Sequence, residues 1–235
     1  MSYLDTKEAR CSQHNGTVAL LIEPRAADLG EFTVRRALPS GERRMVGPFV
    51  FFDHMGPAEF PPGKGIVVRP HPHIGIATIT YLFEGEIMHR DSLGVEQAIQ
   101  AGAVNLMVAG RGIVHSERAG ADIDQLSHLH GIQSWIALPV AEQECAPTFT
   151  HYSAAQLPQL DRDGARLRVI MGSAWGERSP LDSANVGIKS SAVRNRSRPW
   201  LRCRKRFPCP IASTSLMSAM ITRCGRGRKA CSPPA

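Results

Sequence analysis

Hydrophobic and polar residues alternate with a period of two over much of this chain, a pattern typical of β-strands that bury one face. Val18, Leu20 and Ile22 alternate in this way and predict a first strand. Residues 31–39 and 45–57 predict two further short strands, which are bounded by prolines and glycines.

The central part of the chain predicts longer strands. Residues 74–83 are nearly all apolar, β-branched or aromatic, which indicates a strand that is buried on both faces. Residues 104–108 alternate, and this strand ends at the glycine-rich turn 110–112, where positive φ angles allow a tight reversal. Further strands are predicted within residues 127–139 and 166–171. Short strands between glycine and proline turns predict an all-β architecture, and we expect a double-sheet jelly roll.

The composition is that of a globular protein. The chain has 235 residues, enough for one large or two small domains, and 43% of them are hydrophobic. It contains no apolar run of about eighteen residues, so we expect no membrane-spanning helix and no membrane partner. The polar segment 1–14 lacks the apolar core of a signal peptide, and we therefore expect a cytoplasmic protein.

The excess of positive charge comes from the last part of the chain. Residues 189–235 contain twelve Lys or Arg and no Asp or Glu, whereas residues 1–188 hold sixteen basic residues against all twenty-one acidic ones, a balance of −5. Four of the six cysteines also lie in this last part, without a CxxC spacing. In a cytoplasmic protein they do not indicate a disulfide framework.

Three interpretations of residues 188–235 are open. The segment could be a basic arm that binds nucleic acid, a disordered extension, or the product of a shifted reading frame in a gene rich in G and C. We favour the third, because acidic residues and strand patterning disappear at one point. On that interpretation the basic charge says nothing about partners, and we expect no nucleic-acid partner.

Two short histidine motifs predict a metal site. The motif RPHPHIG places His71 and His73 two residues apart, and GRGIVHSE places His115 and Glu117 at the same spacing. In a strand, residues i and i+2 point to one face and lie roughly 6.6–6.8 Å apart. Neighbouring strands would therefore aim three imidazoles and one carboxylate at one place, a set that suits Fe, Mn, Ni, Cu or Zn. One HxH motif alone is weak evidence, and Glu117 alone could be a surface carboxylate, so the prediction depends on the combination.

The other polar candidates are given structural roles. Pro72 cannot donate to a strand ladder and predicts a strand start, an edge strand or a bulge. Trp135 is expected in the core. The remaining side chains are interpreted as turn, loop, mouth or barrel-wall residues: Asp53, His54, His89, Asp91, His128 and His130.

Four segments of the chain resemble the pirin family of the cupin superfamily: residues 51–57, 69–94, 102–117 and 129–139. The resemblance is dense over about residues 15–180, and it implies a cupin jelly-roll β-barrel. The family's metal ligands fall on His71, His73, His115 and Glu117. Ala77 stands where the general cupin pattern has a glutamate, and Glu117 supplies the carboxylate instead, as it does in pirins.

The resemblance also implies how the chain is divided. A polar lead, 1–14, precedes a metal-binding cupin domain at 15–150. Residues 151–187 begin a second cupin domain, which carries no metal in pirins, and residues 188–235 form the basic tail. We therefore expect a two-cupin protein of the pirin type whose second barrel is incomplete.

The resemblance to bacterial pirins implies a quercetin 2,3-dioxygenase, which opens the ring of a flavonol with O₂ and releases carbon monoxide. Its cofactor would be one divalent metal ion, expected to be Fe(II), with Mn, Ni, Cu or Zn as alternatives. Glu117 would also act as the general base, and Phe51, Phe52 and Ile113 are candidates for an apolar wall.

The resemblance to eukaryotic pirins implies a different class of function, a non-catalytic iron-binding co-regulator of transcription or redox sensor with a protein partner. Both functions use the same four ligands, so the sequence leaves them open, and turnover of a flavonol distinguishes them. We favour the enzyme because residues 1–188 contain no localisation signal or basic docking patch.

Overall fold

The computed structural model describes residues 20–30, 32–162, 165–182 and 186, together with the backbone of a strand at 219–224. These residues form strands and two single 3₁₀ turns, Val140–Glu142 and Ala154–Gln156, which confirms the all-β prediction. The strands in chain order are β1 (Arg25–Asp28), β2 (Thr33–Leu38), β3 (Phe49–Phe60), β4 (Val67–His73), β5 (Ile76–Glu84), β6 (Glu86–Asp91), β7 (Glu96–Gln100), β8 (Val104–Val108), β9 (Ile113–Ala119), β10 (Ser127–Ala137), β11 (Thr148–Tyr152), β12 (Gln159–Arg162), β13 (Ala165–Ala174), β14 (Glu177–Arg178) and β15 (Ala219–Cys224).

The strands form three antiparallel sheets. A seven-stranded sheet has the order β1-β2-β3-β10-β5-β8-β11, and a four-stranded sheet has the order β4-β9-β6-β7. Together these two sheets make the jelly-roll barrel. In the third sheet, β13 pairs with β12, β14 and β15.

The core of the barrel lies between the seven-stranded and the four-stranded sheet. Its buried side chains come from both sheets, so each sheet buries its inner face against the other. These side chains are Val34, Met55, Phe60, Ile66, Leu82, Ile87, Ile99, Ala103 and Leu129. Burying apolar surface on this scale is the main favourable contribution to the folding of such a sandwich.

The outer face of the seven-stranded sheet is covered by a second apolar cluster. Side chains of β5, β8 and β10 pack there against Leu157, Ile170, Met171, Leu181 and Val186 of the segment that carries the third sheet. Residues of β5 and β8 are consequently buried on both faces, as the apolar run at 74–83 predicted.

The first predicted strand is wrong. Residues 20–24 are not part of a ladder, and β1 begins at Arg25. The side chain of Ile22 packs against the outer apolar cluster, so its burial does not require a paired backbone. Val18 lies outside the described residues.

The predicted second domain is described only in part. Strands β12, β13 and β14 lie within residues 151–187, and the alternation at 166–171 is confirmed as part of β13. The proposed tail, 188–235, lies outside the described residues apart from the backbone of β15, which pairs with β13. Within the described part, no helix is long and apolar enough to span a membrane.

Candidate metal centre

Strands β4 and β9 bring the two histidine motifs together as antiparallel neighbours. His71 lies directly opposite His115, and His73 follows two residues later on the same face of β4. The Nε2 atoms of His71 and His73 are 3.1 Å apart. The ring centroids of these two residues lie 4.5 and 5.1 Å from that of His115. One nitrogen from each ring lies within 4.8 Å of the other two, so the three rings converge on one place.

A bulge in β4 produces this register. Val68 pairs with Glu117 and His71 pairs with His115, so β4 has one more residue than β9 between the two pairs. In a regular strand, residues three apart would face opposite sides. The bulge instead turns Val68 and His71 to the same side. Because β4 is an edge strand, the missing N–H of Pro72 is tolerated, which confirms the prediction made for that proline.

Hydrogen bonds behind the rings determine which nitrogens face the cluster. Nδ1 of His71 donates to the carbonyl oxygen of Arg69 over 2.8 Å, which leaves a lone pair on its Nε2. His115 is 3% exposed, and its Nε2 has no hydrogen-bond partner among the described residues. A buried polar atom without a partner costs roughly 1–3 kcal/mol, and a bond to a metal would satisfy this one. The three imidazoles therefore fit a metal ion.

Burial favours the neutral form of two of the rings. It lowers the pKa of His73 to about 4, with a further contribution from the charge of His71. It lowers the pKa of His115 to about 3, with repulsion from the neighbouring histidines as the smaller cause. Both rings are then neutral at pH 7, which is the form that binds metal ions.

Glu117 lies beside the cluster but outside the group of nitrogens that lie within 4.8 Å of one another. Its side chain is buried, and its Oε1 accepts a 2.8 Å hydrogen bond from Nε2 of Gln133. Burial raises the pKa of Glu117, and the bond from Gln133 and the nearby imidazoles partly offset this. The structure thus brings three of the four predicted ligands together and holds the carboxylate of the fourth next to them. The role of Glu117 as ligand and base stays a prediction.

A cavity of about 600 Å³ adjoins the cluster, and Arg36, Phe51, Asp53, His71, Glu117 and Trp135 are among its lining residues. Its size falls within the roughly 300–1,000 Å³ typical of small-molecule sites. Phe51 and Trp135 are stacked, with ring centroids 4.1 Å apart. The guanidinium of Arg36 lies 4.5 Å from the centroid of Phe51 and donates two 2.8 Å hydrogen bonds to Asp53. The cavity therefore combines an aromatic wall with a few fixed polar groups.

Two interpretations of β3 from the sequence are wrong. Asp53 and His54 were interpreted as turn residues, but they lie within β3, which continues through Gly56 and Pro57 to Phe60. Asp53 is buried and lines the cavity, whereas His54 points to the outer face of the sheet. The glycine and proline that were taken as a turn lie within the strand because its pairing with β10 continues beyond them after a bulge.

The predicted apolar wall and core are partly correct. Phe51 lines the cavity, but Phe52 alternates to the other face and packs in the outer apolar cluster. Ile113 is buried with residues of β8 and does not line the cavity. Trp135 was expected in the core, and it lies instead on the cavity wall, with its ring centroid 4.9 Å from that of His73.

His89 and Asp91 are the site residues that sequence reasoning missed. Both were assigned to a turn or to the mouth. Asp91 does stabilise the turn after β6 through its Oδ1, but His89 is 4% exposed and lies next to His115. The signal that could have found them is their i, i+2 spacing on a strand, the same as that of His115 and Glu117.

A separate histidine pair lies on the outer face of the seven-stranded sheet. The Nε2 atoms of His54 and His130 are 2.8 Å apart. Arg35 contacts Nδ1 of His54, and the ring of Phe83 packs against both imidazoles. Burial lowers the pKa of His54 to about 4 and is also the main cause of the lower pKa of His130. Neither ring belongs to the metal cluster.

The chain is similar in sequence and in structure to several known proteins. Residues 31–136 match the family described as Pirin. A pirin-like protein of Caulobacter vibrioides is 50% identical over 70% of this chain and 58% of its own length. Pirin of Rattus norvegicus is 32% identical over 70% of this chain and 54% of its own length. The crystal structure of quercetin 2,3-dioxygenase from Acinetobacter baumannii has a TM-score of 0.64 at 44% identity, and covers 68% of this chain and 52% of that chain. The chain thus spans about half the length of the curated relatives it matches.

Proposed function

The barrel of this chain belongs to the pirin family, and on that basis we propose that it is a metal-dependent dioxygenase that opens the ring of quercetin or a related flavonol with O₂. The observation that carries the proposal is the cluster of three imidazoles beside a cavity with an aromatic wall, in which the buried Nε2 of His115 has no hydrogen-bond partner among the described residues. The similarity to quercetin 2,3-dioxygenase of Acinetobacter baumannii supports the choice of substrate.

His71, His73 and His115 would hold one divalent ion, with Glu117 as the carboxylate ligand. Fe(II) is the ion we expect, and Mn, Ni, Cu and Zn suit the same donor set. When bound, such an ion supplies Lewis acidity, which would lower the pKa of the flavonol 3-hydroxyl.

Glu117 would accept the proton of that hydroxyl. Gln133 engages Oε1, so Oε2 is the oxygen that would take the proton. A general base must lie within hydrogen-bond reach of its proton, and Glu117 lines the cavity that would receive the flavonol. The resulting flavonolate is more electron-rich than the neutral flavonol and reacts with O₂, which opens the ring and releases carbon monoxide.

The aromatic wall would orient the substrate. Flat rings prefer offset-stacked or edge-to-face contacts with other rings, and the stacked pair of Phe51 and Trp135 offers such a surface next to His73. The Arg36–Asp53 ion pair satisfies both of its charged groups internally, so the wall carries no unpaired charge from this pair that would oppose an uncharged polyphenol.

The test is oxygen uptake with quercetin on protein whose metal content has been assayed. We expect flavonol-dependent uptake by the wild type and a loss of about 10²- to 10⁴-fold in Glu117→Gln, the usual contribution of a general base. His115→Ala should lose both metal and uptake, because its nitrogen is a ligand. The matched controls are Glu96→Gln and His128→Ala, which change exposed side chains and should retain uptake.

The outcome also separates the two functional classes. If folded, fully metal-loaded wild-type protein takes up no oxygen with quercetin, the dioxygenase proposal is wrong and the iron-binding regulator is favoured. Uptake that persists in Glu117→Gln would retain the enzyme and remove the proposed base.

A further inference from the structure

Behind His115, on the side away from the cavity, two buried polar residues continue the hydrogen-bonded chain. Nδ1 of His115 is 3.4 Å from Nδ1 of His89, and Nε2 of His89 is 3.0 Å from Oδ2 of Asp91. The side chain of His89 is 5% exposed and that of Asp91 is fully buried. Strand β6 supplies both residues, and its pairing with β9 places Asp91 opposite His115.

Backbone amides fix the carboxylate of Asp91, at the end of this series of hydrogen-bonded side chains. Its Oδ1 accepts hydrogen bonds from the amides of Leu93 over 2.8 Å and Val95 over 3.2 Å. The backbone N–H of Asp91 donates to the carbonyl oxygen of Val95, which closes the turn between β6 and β7. The carboxylate therefore cannot rotate without breaking the turn, and Oδ2 is the oxygen that faces His89.

The ring of His89 is held in its plane by an aromatic neighbour. It stacks on Phe149 of β11, with centroids 4.4 Å apart and planes 25° apart. Phe149 belongs to the seven-stranded sheet, so His89 is clamped between the two sheets of the barrel. This contact holds the plane of the ring, while its Nε2 faces Asp91 and its Nδ1 faces His115.

When Asp91 is ionised and His89 is neutral, the donors and acceptors of the series Asp91–His89–His115 fix one arrangement of hydrogens. An ionised carboxylate only accepts, so His89 must donate from Nε2, and in a neutral ring Nδ1 is then an acceptor. That acceptor requires a donor on the facing atom, which is Nδ1–H of His115. A neutral His115 with its hydrogen on Nδ1 has its lone pair on Nε2, the buried atom that has no hydrogen-bond partner among the described residues.

We propose that His89 and Asp91 are positioning residues that hold His115 in the Nδ1–H tautomer and thereby present its Nε2 to the metal. The inference rests on the metal site of the proposed function and adds two residues to it. Ligating histidines generally donate their other N–H to a carboxylate, a backbone carbonyl or water, and loss of that partner typically costs roughly 10- to 100-fold in metal affinity. Here His89, which is itself hydrogen-bonded to Asp91, would take the place of that partner.

The substitution Asp91→Asn makes a specific prediction because Asn has one acceptor and one donor. The amides of Leu93 and Val95 require the acceptor, so the NH₂ group of the Asn would face His89. His89 would then accept at Nε2 and carry its hydrogen on Nδ1, where it would oppose the hydrogen on Nδ1 of His115. His115 would move to the Nε2–H tautomer, which cannot bind a metal through that atom.

The experiment reads the tautomer and the affinity separately. Nitrogen-15 NMR of the imidazoles in metal-free protein reports the tautomer, and a titration with cobalt(II), followed by its visible absorption, reports the affinity. In the wild type we expect His115 with its hydrogen on Nδ1. In Asp91→Asn we expect the hydrogen on Nε2 and cobalt(II) binding weaker by roughly 10- to 100-fold. The matched control Asp161→Asn changes an exposed carboxylate and should alter neither signal.

A second variant tests the proposal with the packing around residue 89 retained, in case Asp91→Asn changes the fold. His89→Phe keeps an aromatic ring against Phe149 and removes both nitrogens, so it should weaken cobalt(II) binding while the tautomer of His115 becomes mixed. A folded Asp91→Asn protein with an unchanged tautomer and unchanged affinity would overturn the proposal. If wild-type protein binds no cobalt(II), the proposed function fails, while the NMR signal of His115 still decides whether the chain of hydrogens exists.

Discussion

The two nitrogens of His115 have different surroundings. Its Nε2 is buried without a hydrogen-bond partner in the described part of the chain, while its Nδ1 faces His89. Nδ1 therefore has a hydrogen-bond partner, and Nε2 is left to bind a metal ion. A polar atom kept unsatisfied costs stability, and such a cost is expected at a functional site.

The outer histidine pair allows a prediction at the residue scale. The pKa of His54 is lowered to about 4 in the folded protein from an ordinary value of 6.5, mainly by burial. Between these values the unfolded chain takes up a proton that the folded protein does not. The free energy of unfolding should therefore fall as the pH falls from 6.5 towards 4, by less than the limit of about 1.4 kcal/mol per pH unit, because the ring is half-exposed.

This dependence can be measured from urea midpoints at pH 7.5 and pH 5. We expect His54→Gln to lose less stability over this interval than the wild type. His128→Gln, which alters a more exposed ring, should follow the wild type. An equal loss in His54→Gln and the wild type would show that burial of His54 does not contribute.

At the scale of the elements, turns and bulges decide where the site residues lie. The bulge in β4 aligns His71 with His115, and the turn at Gly85 leads from β5 into β6, which carries His89. Gly85 has a φ of +86°, and a Cβ on it would lie 2.0 Å from the carbonyl oxygen of His128. This turn therefore requires glycine both for its backbone conformation and for its close approach to β10.

A matched pair of glycines separates these two requirements. Gly94 has a φ of +83°, close to that of Gly85, but a Cβ there would meet nothing within 4 Å. Gly94→Ala should cost about 1–2 kcal/mol for the left-handed conformation alone. Gly85→Ala should cost about 1–3 kcal/mol more, because the backbone must shift to relieve the overlap.

The measurement for this pair is urea denaturation at pH 7.5. Similar midpoints for the two variants would contradict the prediction and would show that the β5–β6 turn can move away from β10 at little cost.

At the scale of the whole molecule, the seven-stranded sheet is buried on both faces at its central strands β5 and β8. Its inner face closes the barrel, and its outer face packs against residues from the segment of the third sheet. The metal cluster lies on the four-stranded sheet, and none of the described side chains of the third sheet belongs to it. We therefore expect the third sheet to affect the site through the stability of the sheet that it covers.

Ile170 tests the contribution of this outer contact. It lies in β13, is fully buried and packs in the outer apolar cluster. Ile170→Ala should lower the free energy of unfolding by about 2–5 kcal/mol, the usual cost of such a truncation in a core. Ile123→Ala, at a side chain that is 39% exposed, should change it by about 0.5 kcal/mol or less.

Chemical denaturation of the two isoleucine variants checks this prediction. If Ile170→Ala unfolds like the wild type, the third sheet is not packed on the barrel in solution. Cobalt(II) binding by folded Ile170→Ala should be retained, since the residue lies away from the cluster.

Local patterns in the sequence were sufficient for the all-β class, the buried central strand β5, the glycine turn before β9 and the three imidazoles of the cluster. Each of these depends on the period of two along one strand, which the backbone geometry imposes on any β-strand. The sequence was also sufficient to predict the place of Pro72 on an edge strand, because a residue without an N–H is restricted to strand starts, edges and bulges within a sheet.

Only the tertiary structure decided which distant side chains meet. The burial of Asp53 against Arg36, the place of Trp135 on the cavity wall and the contact of His89 with His115 all depend on how different strands pair and pack. The bulge in β4 is equally invisible in the sequence, yet it turns His71 towards His115. A strand's own pattern fixes which residues share a face, but the face that becomes the site is chosen by register and by the packing of one sheet on another.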